Sequence, residues 1–270
     1  MSGTRTIFAM GGGGFTMEPD NPMLDDFVLG LAAPREPRIL FLPTASGDPA
    51  VQIAAFDARF AERACAATHL SLFRLHGSRR PLRDVVLEQD VIYIGGGSMR
   101  NLLAIWRAHG LDVLLTEAWE RGIVLAGLSA GAMCWFEGGI TRSSGPPETI
   151  AGLGLLPGSL SVHADGEPER LPAFLAAVRT GALPGGWAAD DGVGLLFEGR
   201  RMARAVSSRP GAAAQRVDAL EGELVRSRIE PELLAARPAG MPLPGDAIEE
   251  LRAVRRLRGL RPGVDPLSDR

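Results

Sequence analysis

The chain has 270 residues, 46% of them apolar, enough for one large α/β domain or two small ones around a sizeable core. A formal net charge of −3 excludes the strongly basic surface of a general nucleic-acid binder. Two cysteines, Cys65 and Cys134, form neither a disulfide framework nor a cysteine-rich metal pattern and fit a reducing cytoplasm; no window of about 18 apolar residues predicts a membrane span.

Residues 6–10 read as a β-strand; the apolar run is too short for a secretory h-region. Gly11 to Gly14 follow. They lack a P-loop lysine and the dinucleotide glycine spacing, so they are read as a turn where backbone passes close to a cleft. Leu24, Phe27, Val28 and Leu31 predict a helix over 21–33. Residues 37–43 are continuously apolar, as in a buried parallel strand, and end in a turn cluster at 44–49. A helix is expected over 53–67, a strand over 68–75 and a short helix or turn over 82–87. A strand at 91–94 then runs into Gly95-Gly96-Gly97-Ser98 and a helix over 99–109. Glycines at a strand's carboxyl end turn backbone N–H groups toward a cleft. A helix over 111–121 precedes the next strand. This repeated strand–helix order predicts a mostly parallel, doubly wound sheet with its site at the carboxyl ends of the strands.

The most informative stretch is Ile123 to Cys134. A short apolar strand enters Gly127-Leu128-Ser129-Ala130-Gly131, the G-x-S-x-G pattern. A serine hydroxyl becomes a useful nucleophile only when a tight turn lifts it clear of the backbone toward a base, and small neighbours permit that turn. A helix from 132 onward is expected to aim its N-terminus at the serine. The Ala130 N–H and the Gly95–Ser98 turn are candidate halves of an oxyanion hole. Residues 138–157, with a polar stretch at 141–148, read as a surface loop beside the site, 172–180 as a helix, and 203–206 and 213–217 as antiparallel strands. Residues 1–225 are expected to form the catalytic domain, and 226–270 a peripheral tail with one helix over 246–258.

A nucleophilic serine needs a base. His69, His76 and His109 fall in elements or turns with structural explanations, whereas His163, 34 residues after Ser129, ends a strand in a polar turn. The residues leave Glu137, Glu148, Asp165, Asp190 and Asp191 open as the orienting carboxylate. No histidine follows His163, which disfavours the α/β-hydrolase order, and no second cluster of ligands makes His163 and Asp165 a metal pair. Neither metal nor cofactor is expected.

The segments Gly95-Gly-Gly-Ser-Met-Arg-Asn-Leu102, Ala126-Gly-Leu-Ser-Ala-Gly-Ala-Met-Cys-Trp-Phe136 and Gly152-Leu-Gly-Leu-Leu-Pro-Gly-Ser159, with His163 after them, resemble peptidase E, the aspartyl dipeptidase family of serine peptidases related to cyanophycinase. The likeness spans about residues 4–217. It implies an α/β three-layer sandwich of the class I glutamine amidotransferase type. It also implies hydrolysis of small peptides with N-terminal aspartate through an acyl-enzyme on Ser129, with His163 as base. The implied oxyanion hole is the N–H of Gly96 or Gly97 with that of Ala130. Some relatives carry the acid before a glycine in a late turn, which selects Asp191 with Asp190 beside it; others carry it between serine and histidine, where Glu148 fits. Asp191 is preferred. Ser98 stands where the family often has asparagine, and His163-Ala-Asp165 where closer relatives have His-Tyr-Asp. Arg170 is the candidate for the aspartate-binding arginine, one position out of register. The resemblance leaves a homodimer open. The alternatives kept beside it are another acyl hydrolase, acting on an amide, isoaspartyl or ester substrate, and a non-catalytic binding domain.

Overall fold

The computed structural model describes residues 4–77 and 80–235. In chain order the elements are β1 (Thr6–Met10), α1 (Gly14–Met17), α2 (Met23–Gly30), β2 (Arg38–Leu42), α3 (Ala50–Phe60), β3 (Ala66–His69), α4 (Leu82–Leu87), β4 (Val91–Ile94), α5 (Met99–His109), α6 (Leu111–Glu120) and β5 (Val124–Leu128). Then come α7 (Ala130–Met133), β6 (Phe136–Thr141), β7 (Glu148–Ala151), β8 (Leu156–Ser161), α8 (Arg170–Arg179), β9 (Gly186–Ala189), β10 (Val193–Glu198), β11 (Arg201–Ser207), β12 (Ala214–Leu220), β13 (Glu223–Ile229) and β14 (Glu232–Leu233).

The main sheet has the order β14-β11-β10-β1-β5-β4-β2-β3, with β1, β5, β4, β2 and β3 mutually parallel. Alternation along these strands gives each face its own core. Ile7, Ala9, Leu40, Leu42, Ile92, Ile94 and Leu125 face the packing layer of α5 and α6. Phe8, Met10, Phe41, Tyr93 and Ala126 face α2 and α3. On that second face Phe15, Phe41, Phe56, Phe60 and Tyr93 form one aromatic cluster, all at most 3% exposed. Each such ring contributes roughly 1.5–3 kcal/mol by leaving water. This is the α/β, mostly parallel arrangement expected from the strand–helix order.

A second, six-stranded sheet, β13-β12-β9-β8-β6-β7, was not expected. The stretch 138–157, read as a surface loop from its glycines and prolines, instead supplies β6, β7 and the start of β8. Gly138 and Gly139 sit within β6 because neighbouring backbone and Leu183 leave no room for a side chain there. Their absence of side chains therefore signals close packing in this stretch. Helix α8 covers this sheet through Phe174, Ala177 and Val178 against Ile140, Ala188 and Val217. Trp135, Phe136, Trp187 and Phe197 fill the space between the two sheets.

Three boundaries differ from expectation. Helix α3 stops at Phe60, since Ala66 already pairs with Arg38 in the sheet. Strand β3 stops at His69, after which Leu70 and Leu72 turn inward in a 3-10 segment, Leu72–Gly77, and are buried. The boundary at 225 falls inside β13, which is paired along its length with β12. The helix expected over 246–258 lies outside the described residues. No helix among the described residues is long and apolar enough to cross a membrane.

Candidate functional site

Ser129 leaves β5 at the carboxyl edge of the parallel strands, where its N–H donates to the Met10 carbonyl at 3.1 Å. Its backbone is forced to φ 54, ψ −115, a conformation that non-glycine residues rarely adopt. The neighbours show why the turn demands small residues. A Cβ on Gly127 would lie 2.2 Å from the Gly131 carbonyl, and one on Gly131 would lie 2.6 Å from that of Ile94. The helix expected beyond the serine is only four residues long, because Phe136 is drawn into β6. So short a helix has little macrodipole; the N–H of its first residue, Ala130, next in sequence to the serine, is an orphan donor of the helix start.

His163 arrives from the other sheet. It follows β8, its N–H donates to Gly11 at 3.3 Å, and its φ is 52. The ring bridges two groups: Nε2 lies 2.9 Å from Ser129 Oγ, and Nδ1 lies 2.5 Å from Asp191 Oδ1. A carboxylate can only accept, so Nδ1 carries the proton and Nε2 is left to accept from the serine hydroxyl. Asp191 sits in the crossing from β9, in the second sheet, to β10, in the main one. Three segments from two sheets therefore converge on one seam.

The Gly11–Gly14 turn passes through that seam. A Cβ on Gly12 would lie 2.0 Å from Asp191 Oδ1 and 3.0 Å from His163 Cε1, so only a bare backbone fits beside the pair.

The other acid candidates are turned elsewhere. Asp190 accepts from the Ala213 N–H at 2.9 Å; burial, with the nearby charges of Asp165 and Asp191, raises its carboxyl above the usual range. Glu148 pairs with Arg100 at 2.7 Å; that contact with Arg100 lowers its pKa. Asp165 supports Asp191 from behind, accepting its backbone N–H at 2.8 Å. Glu137 lies on β6 with its side chain exposed.

Gly96 lies against the serine: a Cβ there would be 3.3 Å from Ser129 Cβ. Gly97 holds φ 139 with its Cα against the Ala45 carbonyl, and Ser98 caps α5 by accepting from the Asn101 N–H at 3.2 Å. Beside Ser129 a cavity of about 250 Å³ is lined by Gly97, Ser98, Met133, Thr141, Arg142, Ser143 and Arg170. The β6–β7 hairpin forms one wall, tied to α5 by Ser143 Oγ, which accepts from the Arg100 N–H at 3.3 Å, and by the Arg100–Glu148 pair.

Arg170 is 95% buried and its guanidinium is engaged: Nε and NH2 donate to Glu167 at 3.0 and 3.1 Å, and NH1 donates to the Ile140 carbonyl at 2.8 Å. Burial works against Glu167 ionising, but Arg170, with smaller help from His163 and Arg142, holds its carboxyl below the usual range. Arg142, which the sequence reading did not single out, is the more available cation. Its side chain is 42% exposed, with long contacts of 3.5 Å to Glu167 and 3.8 Å to Glu169. The signal for it was its place in a polar stretch already expected to lie beside the site. Among the described residues no group of three or more His, Cys, Asp or Glu side chains is arranged to hold a metal ion.

Comparisons with known proteins give the family and the fold. The profile of peptidase family S51 matches residues 7–205. The uncharacterized peptidase YgaJ of Bacillus subtilis (strain 168) is 49% identical over 220 residues, covering 82% of this chain and 95% of that protein. A crystal structure of a peptidase from an acI-B1 actinobacterium superposes with a TM-score of 0.65 at 18% identity, covering 84% of this chain and 94% of that one. A Listeria monocytogenes EGD-e structure assigned to peptidase E gives a TM-score of 0.52 at 15% identity, covering 84% of this chain and all of that one.

Proposed function

The chain belongs to peptidase family S51, and on that premise we propose that it hydrolyses small peptides, first of all dipeptides with N-terminal aspartate, through an acyl-enzyme on Ser129. His163 Nε2 takes the hydroxyl proton as Oγ attacks the scissile carbonyl. The N–H groups of Ala130 and of Gly96 or Gly97 receive the charge that develops on the carbonyl oxygen. Asp191 holds the ring in the accepting tautomer and offsets the imidazolium charge. His163 then gives its proton to the departing amine. In the second half a water loses a proton to His163, attacks the acyl carbon and releases the acid, and Ser129 regains its proton. The observation that carries this reading is the continuous chain of contacts from Ser129 Oγ through both ring nitrogens to Asp191 Oδ1.

For an aspartate substrate, Arg142 is the better-placed reader of the side-chain carboxylate, and Arg170 holds Glu167 in position beside it. A second reading, hydrolysis of non-acidic amides or esters, is favoured by the same wall, since Glu167 already neutralises Arg170. Assaying Asp-Xaa, isoAsp-Xaa and Ala-Xaa dipeptides beside simple esters separates the two readings. A serine-directed phosphonate should label the wild type at Ser129 and leave Ser129→Ala and His163→Ala unlabelled. Turnover by Ser129→Ala should drop by on the order of 10⁴ to 10⁶; ordinary activity in that variant ends the proposal.

A further inference from the structure

Behind the His163–Asp191 pair lies an ionic cluster outside the residues lining the Ser129 cavity. Glu18, directly after α1, has a side chain only 8% exposed. Its Oε2 accepts from Ser208 Oγ at 2.8 Å, and its Oε1 accepts a very short bond from Arg209 Nε. These partners are 190 and 191 residues away in the chain. The Arg209 side chain is 39% exposed, so the pair is buried only at its Glu18 end; a solvent-screened pair adds little stability, but it can specify one local arrangement. What this one specifies is visible in its contacts.

The residue next to Asp191 is Gly192, and it is gripped from two sides. Its N–H donates to the Gly12 carbonyl at 3.1 Å, and its carbonyl accepts from the Ser208 N–H at 2.9 Å. The fit leaves no slack. A Cβ on Gly192 would lie 2.8 Å from Arg209 Cγ, and one on Gly13 would lie 3.3 Å from Glu18 Oε2 and 3.4 Å from Gly192 Cα. Glu18 thus ties the end of the first glycine turn to the Ser208–Arg209 segment, with the Asp191–Gly192 turn held between them. The Glu18 hydrogen bond chiefly raises the basicity of Arg209, and the charges of Asp191 and Asp165 add to it, so the guanidinium lies within electrostatic reach of the acid.

We propose that Glu18, Ser208 and Arg209 are positioning residues that fix the Asp191–Gly192 turn and, through it, the contact between Asp191 and His163. The proposal rests on the serine-peptidase reading above and deepens it. None of the three meets the substrate, so loosening them lowers kcat and leaves KM nearly unchanged.

The test uses the full chain with Glu18→Gln, Arg209→Met, Arg209→Lys and Ser208→Ala. Arg63→Met serves as the control; it breaks a 2.6 Å ion pair with Asp26 in another part of the fold. Four quantities are read: kcat and KM on the best dipeptide, melting temperature, and the downfield proton resonance of the His163 Nδ1–H, identified by its loss in His163→Ala. Glu18→Gln and Arg209→Met should lose about tenfold to a hundredfold in kcat, the scale of a sub-ångström misplacement, with KM within about threefold. Their imidazole resonance should move or broaden, and Arg209→Lys should recover most of the rate. Arg63→Met should lower the melting temperature without touching kcat or the resonance. Full kcat with an unmoved resonance in Glu18→Gln and Arg209→Met overturns the proposal, as does an equal kcat loss in Arg63→Met. If those two variants do not fold, Ser208→Ala carries the same readings with smaller shifts, and full kcat with an unmoved resonance there overturns the proposal. If the wild type is not labelled at Ser129 and cleaves no peptide, the peptidase reading fails, while the resonance still decides the clamp.

Discussion

Asp191→Asn is the sharpest single perturbation of the site. It keeps the shape of the side chain and removes one charge 2.5 Å from His163 Nδ1. At that separation and an effective dielectric near 20, the interaction with a fully formed imidazolium has a ceiling of about 7 kcal/mol. The two side chains are 12% and 14% exposed, so partial solvent access brings the transition-state share to about 4–5.5 kcal/mol, or roughly 10³- to 10⁴-fold in kcat. A second effect acts in the same direction. An amide N–H facing Nδ1 forces the ring proton onto Nε2, which then points a hydrogen at Ser129 Oγ and cannot accept one. Steady-state kinetics on an Asp-Xaa substrate, run beside Asp190→Asn and Glu148→Gln, decides the matter. Asp191→Asn should be slow at near-normal KM, and the other two close to wild type. An Asp191→Asn enzyme retaining more than about a tenth of wild-type kcat, or an equal loss in Asp190→Asn, refutes the argument.

Three further outcomes are expected. Gly12→Ala places a methyl 2.0 Å from Asp191 Oδ1; a carboxylate can swing aside, so the melting temperature should change little while kcat falls on the order of a hundredfold, and unchanged kcat would contradict the close packing described. Arg142→Ala should lower kcat/KM for acidic dipeptides by about tenfold to a hundredfold and leave neutral ones alone, and an equal loss on both would show that Arg142 does not read the substrate's charge. Burial, opposed by Arg59 and Tyr93, raises the Asp25 carboxyl from 3.8 to about 7. The folded chain therefore keeps a proton that the unfolded chain releases, and stability is lost as pH rises from about 4 through about 7. Asp25→Asn does not titrate, so the stability of wild type relative to the variant should fall by roughly 3 kcal/mol from about pH 5 to about pH 8; a constant or rising difference in thermal melts would count against it.

The inner parallel strands β1, β2, β4 and β5 were legible because they are largely apolar on both faces and each ends in glycines or a turn, whereas the exposed edge strand β3 was expected too late in the chain. Ser129 was legible because its bend needs small residues at fixed offsets. His163 stood out because the chain has four histidines and the other three have structural explanations. The second sheet was not legible: Gly138 and Gly139 read as loop residues, whereas they are places where two backbones and Leu183 meet. The choice of Asp191 over Asp190 was beyond local pattern, because adjacent residues on a turn point to different sides, and it is their contacts with His163 and Ala213 that show which way each goes. That Glu167, three residues away, engages the Arg170 guanidinium was likewise beyond local pattern.

Ser129 and His163 both occupy left-handed backbone, at φ 54 and φ 52. Each such residue costs about 1–3 kcal/mol that the surrounding packing must offset. Heat tolerance and turnover therefore pull against each other at these two positions. Glycine at 129 relieves the distortion, so Ser129→Gly should melt above Ser129→Ala although both are inert. A lineage selected for endurance but released from the need to cut peptides should drift toward glycine at this bend, leaving a sturdier and silent protein on the same scaffold.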